Sequence, residues 1–183
     1  MRPDGPAQLR RLLRVSPQRW LLAATAVIAA VGTSILVGVT GGGLPPLVLA
    51  IVGALAVTAT ARPDTHTALV VVGVVVWQWL VVTDDPTGPV VVATALGLLV
   101  FHTTIALMAA APVTATFGTD LLLRWLARAA VVGGATVATW ALVLLMETRR
   151  ADGNALLTFA GFVVALIFVV MLLARASASR STR

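Results

Sequence analysis

From Trp20 to Val39 twenty consecutive residues carry no charge, and an arginine-rich stretch with a Ser16-Pro17 break stands immediately before them. At about 1.5 Å of rise per residue, twenty helical residues cover the roughly 30 Å hydrocarbon thickness of a bilayer. The stretch therefore reads as a membrane span. Arg2, Arg10, Arg11, Arg14 and Arg19 all lie on its N-terminal side. Arginine-rich flanks stay in the cytoplasm, so the chain is expected to enter the membrane from inside.

Composition supports the same solvent. Hydrophobic residues make up 59% of the 183 and charged residues 11%, against about a quarter charged in soluble domains. So few charges cannot cover that much apolar surface in water. The net charge of +6 comes from thirteen arginines set at span ends and tails. That placement implies contact with anionic headgroups rather than nucleic acid. Cysteine is absent, which removes disulfides, thiolate metal sites and cysteine nucleophiles. A cleaved signal sequence is disfavoured, since its apolar core would be about 7–15 residues.

Residues 1–19 form an arginine-rich N-tail. Leu9, Leu12 and Leu13 oppose Arg10, Arg11 and Arg14 in it, the pattern of a short helix lying on the inner headgroup layer. Ser16 and Pro17 supply an N-cap and first-turn proline for the span. Gly41, Gly42 and Gly43 followed by Pro45 and Pro46 force a reversal. Further spans are predicted over 44–61, 68–82, 90–111, 121–146 and 155–173, with Thr65 or Thr67 capping the third and Asn154 the sixth. The third is valine-rich and would suit a buried strand in water, but an open strand in lipid leaves backbone groups unpaired.

The expected fold is thus all-α: a polytopic membrane helical bundle of six transmembrane helices, both termini cytoplasmic, with a short tail over 175–183. Eleven arginines then lie inside, against Arg149 and Arg150 outside. Asp120, Arg124 and Arg128 recur every four residues and place the first turns of the fifth helix at the inner surface. A five-span alternative, with that helix lying flat, would put Arg149 and Arg150 inside but expose the C-tail. Connections are too short for a soluble domain, and no internal repeat supports an inverted-repeat transporter.

Because apolar burial cannot drive helices together in lipid, small residues at four-residue spacing mark contact faces. Ala26, Ala30, Ser34 and Gly38 form one such stripe, Ala130, Gly134 and Ala138 a second, and Gly161 with Ala165 a third. Among polar residues His102 is the sharpest candidate, an ionisable group in mid-span beside Thr103 and Thr104. Ala95, Ala106 and Ala109 share its face, so a neutral imidazole bonded to a neighbouring helix is the structural reading. Gln78, between Trp77 and Trp79, either pairs across helices or faces water, and the tryptophans mark the outer aromatic belt. Asp84-Asp85 reads as a solvated turn, and His66 has no second histidine at metal-ligand spacing.

No serine elbow, H-E-x-x-H pair, Walker lysine or intramembrane carboxylate pair is present, so neither enzyme activity nor a cofactor is expected. The arginine-rich start and Ala/Val/Leu spans together resemble small polytopic membrane proteins of high-GC actinobacteria. That resemblance implies a multi-pass protein of the bacterial inner (plasma) membrane and assigns no functional residue. The expected role is a scaffold or accessory subunit of a membrane complex, with a membrane-protein partner or further copies of itself. Arg10, Arg11, Arg14, Arg19, Arg124 and Arg128 would meet lipid headgroups. The alternative is a small transporter or channel with His102, Thr103 and Gln78 along a polar path.

Overall fold

A computed structural model describes residues 16–43, 45–63, 65–83, 87–110 and 117–148, together with Gly161. Five helices run in chain order: α1 (Pro17–Thr40), α2 (Pro46–Ala61), α3 (Thr67–Val82), α4 (Pro89–Ala109) and α5 (Thr119–Thr148). The described fold is all-helical. At about 1.5 Å per residue, α1, α4 and α5 are roughly 36, 32 and 45 Å long, and α2 and α3 about 24 Å each. Three helices, over Pro17–Thr40, Pro89–Ala109 and Thr119–Leu145, are long and apolar enough to cross a membrane, and α2 and α3 are shorter apolar helices. These are the helices of a membrane protein. The expected sixth span, the N-tail and the C-tail lie outside the described residues.

The chain divides into two compact units, residues 1–141 and 142–183. The first holds α1 to α4 and most of α5. Of the second, the description covers the last turns of α5 and Gly161.

Within the first unit α1 is the hub, packing most extensively on α4 and then on α2 and α3. Its buried face carries Ala26, Ala30, Thr33, Ser34, Val37 and Gly38, so the first small-residue stripe is a contact face. Small side chains let backbones approach where lipid supplies no hydrophobic drive. Against them pack Val52, Ala56 and Ala59 of α2, Ala68, Val71 and Val75 of α3, and Phe101 and Ile105 of α4. At Gly97 of α4 the approach to α1 is so close that any Cβ would collide with Thr33.

Proline begins α1, α2 and α4, the position where its missing N–H costs nothing. At the other end of α1, Gly42 has φ 79° and the Gly43 N–H donates to the Gly38 carbonyl over 3.0 Å. This is the 6→1 bond of a Schellman stop.

Contacts pair like ends of the helices. At one end Arg19 reaches Met108 and Gln18 accepts from the Phe117 N–H at 2.7 Å. At the other, Gly41 meets Val82 and the Trp140 indole donates to the Thr87 carbonyl at 2.8 Å. Hence α1, α3 and α5 run one way and α2 and α4 the other.

Three expectations are corrected. Ser16 occupies the N-cap in an extended conformation but makes no side-chain cap bond; the Arg19 N–H that a capping hydroxyl would accept goes to the Ser16 carbonyl at 3.0 Å. His66, not a threonine, stands at the N-cap of α3; Thr65 donates back to the Arg62 carbonyl and touches the Thr67 hydroxyl. On α5, Ala130, Gly134 and Ala138 are exposed while the adjacent Gly133 is buried against Leu96 and Leu99. The face that meets α4 is one residue, about 100°, away from the predicted stripe.

Candidate functional site

A buried side-chain pair joins α1 to α3. Ser34 is fully buried and Gln78 is 4% exposed. The Ser34 hydroxyl donates to Gln78 Oε1 at 2.7 Å, and Gln78 Nε2 donates back to the Ser34 carbonyl at 3.0 Å. Only a side chain with both a donor and an acceptor can close this reciprocal pair. It pins the register of two parallel helices whose other contacts are interchangeable valines and alanines.

The other proposed path residues lie elsewhere. His102 is exposed on the outer surface of α4. The buried line of that helix instead runs through Thr94, Phe101, Thr104, Ile105 and Met108. Thr103 is half-buried and its hydroxyl returns to the Leu99 carbonyl of its own helix at 2.7 Å, a bond that satisfies the hydroxyl locally. Gln78 is thus inside and His102 outside. Trp77 is 68% exposed, whereas the Trp79 Nε1, Thr83 Oγ1 and Thr94 Oγ1 atoms are buried without a hydrogen-bond partner. His66 is exposed, and Asp84 and Asp85 lie outside the described residues.

No family model matches the chain, and neither a curated protein nor a solved structure is significantly similar to it. Function has to be argued from geometry.

At the end of the bundle where α1 begins, a cavity of about 130 Å³ is lined by Arg19, Trp20, Ala23, Thr60, Ala61 and Met108. It is an open depression at the surface and not an enclosed chamber. Arg19 is only 9% exposed, and its Nη1 donates to the Met108 carbonyl at 3.4 Å. Met108 lies in the last turn of α4, and Thr60 and Ala61 close α2. The last turns of two helices thus line the depression beside one guanidinium, which takes the Met108 carbonyl as an acceptor.

Of the arginines expected at the headgroups, Arg124 and Arg128 are exposed, Arg19 is drawn into this cavity, and Arg10, Arg11 and Arg14 lie outside the described residues. Arg124 also donates to the Asp120 carbonyl at 3.2 Å. Sequence reasoning grouped Arg19 with the surface arginines. The signal that separates it is its position two residues beyond Pro17, already inside the first turn of an apolar helix.

Proposed function

We propose that this is a multi-pass protein of the bacterial inner (plasma) membrane, crossing six times with both termini cytoplasmic. In this reading it acts without catalysis as a scaffold or accessory subunit of a membrane complex. The observation that carries the role is the environment of α5. Only 6% of its most apolar stretch is buried, against 33% in α1 and 39% in α4. Leu121, Leu123, Leu126, Val131, Val132 and Val137 are all exposed. A helix so thinly covered by the described residues offers apolar surface around much of its circumference to a second membrane protein or to another copy. The exposed Arg124 and Arg128 at its start fit a cytoplasmic surface that meets anionic lipid or an acidic partner.

The transport alternative needs polar groups along one path. The reciprocal Ser34–Gln78 pair occupies both ends of the amide, and His102 faces outward, so neither supports conduction.

The test is purification of the full chain in mild detergent, with a photo-crosslinking residue at Leu126 or Val131 and, as control, at the buried Ala26. The expected result is one stoichiometric product of defined mass from the α5 positions and none from Ala26. A monomer that gives no such product would end the scaffold reading.

A further inference from the structure

Helices α2 and α3 pack on each other and on α1, yet both are shorter than the slab that α1, α4 and α5 are long enough to cross. Each has 16 residues, about 24 Å against roughly 30 Å of hydrocarbon. Their ends are set by the sequence. Pro45 precedes α2, Arg62 and Pro63 end it, and Thr83 turns to an extended conformation after α3.

The shortfall lies on one side. The Ser34–Gln78 pair holds α1 and α3 at a common height. Towards their C-termini the two helices finish level, since Gly41 meets Val82. Towards their N-termini α1 runs on from Ser34 to Pro17, about 26 Å, and α3 only from Gln78 to Thr67, about 17 Å. The first turns of α1 therefore project about 9 Å past the start of α3. Helix α2 stops near the same height, where Thr60 and Ala61 stand against Trp20 and Ala23. By the arginine rule this stepped side faces the cytoplasm.

A helix longer than the slab can tilt, but a short one cannot stretch. Drawing α2 and α3 deeper would carry the exposed Arg62 and His66 towards hydrocarbon, where polar groups are costly. Arg62 could reach back to the headgroups along its own stem, but the His66 side chain is too short to do so. What remains is for the lipid to adjust, by thinning beside these two helices. The surface it would meet is apolar, with Val57 of α2 and Leu69, Val70 and Val76 of α3 exposed.

We propose that the α2–α3 side of the bundle selects phospholipids with shorter acyl chains than the long helices fit, and that it does so in the cytoplasmic leaflet. The inference rests on the six-crossing membrane reading above and goes beyond it, since it names a property of the lipid and places its effect on one side of the bundle.

The chain has no cysteine, so a fluorophore can be attached at Leu69→Cys on α3 or, as a reference on a long helix, at Leu126→Cys on α5. Both residues are exposed. Each labelled protein is reconstituted in dioleoyl phosphatidylcholine with a trace of its nitroxide-labelled analogue as quencher, and dimyristoleoyl phosphatidylcholine is titrated in. The short lipid is expected to displace the quencher from Leu69 about threefold more effectively than from Leu126, the scale of a cost that is modest per Å of mismatch and shared among several neighbouring lipids. Inserting one apolar turn, Ala-Leu-Ala-Leu, both after Ala61 and before Thr67 adds about 6 Å to each helix and should remove the difference. If that variant does not fold, the two labels in the native sequence decide alone.

Equal displacement at the two sites would overturn the proposal. So would a label at Leu69 that no lipid quenches while the label at Leu126 is quenched. Absence of quenching at both positions would instead refute the membrane reading itself.

Discussion

Replacing Ser34 by alanine removes one of the two bonds of the buried pair and leaves the other, because Gln78 Nε2 donates to the Ser34 main-chain carbonyl, which the variant keeps. What is lost is the partner of Gln78 Oε1, at a residue 4% exposed. An unsatisfied buried acceptor costs about 1–3 kcal/mol, so Ser34→Ala should destabilise the bundle by ~1–2 kcal/mol. The converse change is milder. In Gln78→Leu the Ser34 hydroxyl can turn back to the carbonyl of Ala30 in its own helix, and the expected loss is under about 1 kcal/mol, within the average for interhelical bonds in membrane proteins. Once the amide is gone, adding Ser34→Ala strands no polar atom, so the double variant should resemble Gln78→Leu. The cycle therefore yields a coupling energy equal to the Ser34→Ala cost, ~1–2 kcal/mol, well above the ~0.3–0.5 kcal/mol scatter of independent sites. Unfolding in mixed micelles, titrated with SDS and followed by helical circular dichroism, measures all four proteins. Additive effects would show that the pair does not lock α1 to α3.

Two further outcomes can be checked. Gly97→Ala should loosen the α1–α4 interface by about 1–3 kcal/mol, the usual cost of overpacking, read as a lowered melting temperature in detergent; Thr33→Ala in the same chain should recover part of it, because Thr33 is what the new Cβ strikes. Since the chain has no cysteine, single substitutions Thr65→Cys and Gly118→Cys should react with an impermeant maleimide from one side of sealed vesicles and Gly43→Cys and Gly88→Cys from the other. Reaction of all four from the same side would refute the alternation of helix directions.

The helices themselves were legible because prolines and glycines punctuate uncharged runs, and Pro17, Pro46 and Pro89 begin helices where the chain says they should. The Ala26–Gly38 stripe was legible too, since small residues at four-residue spacing have one mechanical use in lipid. Which side of α4 and α5 faces inward was not. Both helices are apolar around most of their circumference, so no polar side declares itself, and in lipid exposure and burial call for the same residue types. Gly133 and Gly134 are equally small and about 100° apart; only the position of Leu96 and Leu99 chooses between them. His102 suffers the same ambiguity. For Gln78 the sequence foresaw pairing across helices as one option, but the partner Ser34 is 44 residues away, and nothing local encodes that distance. The Arg19 cavity depends on the ends of three helices meeting, which no single segment displays.

The bond from Arg19 to Met108 spans 89 positions of the chain, and it has a consequence for biogenesis. At about 5–20 residues per second, the ribosome needs roughly 4–18 s to supply the acceptor after the donor has emerged. Ser34 waits a shorter time, since Gln78 follows it by 44 residues, roughly 2–9 s at the same rate. A ribosome stalled before the fourth helix leaves α1 resting on the second and third helices alone, with the Met108 carbonyl, Phe101 and Ile105 still to come.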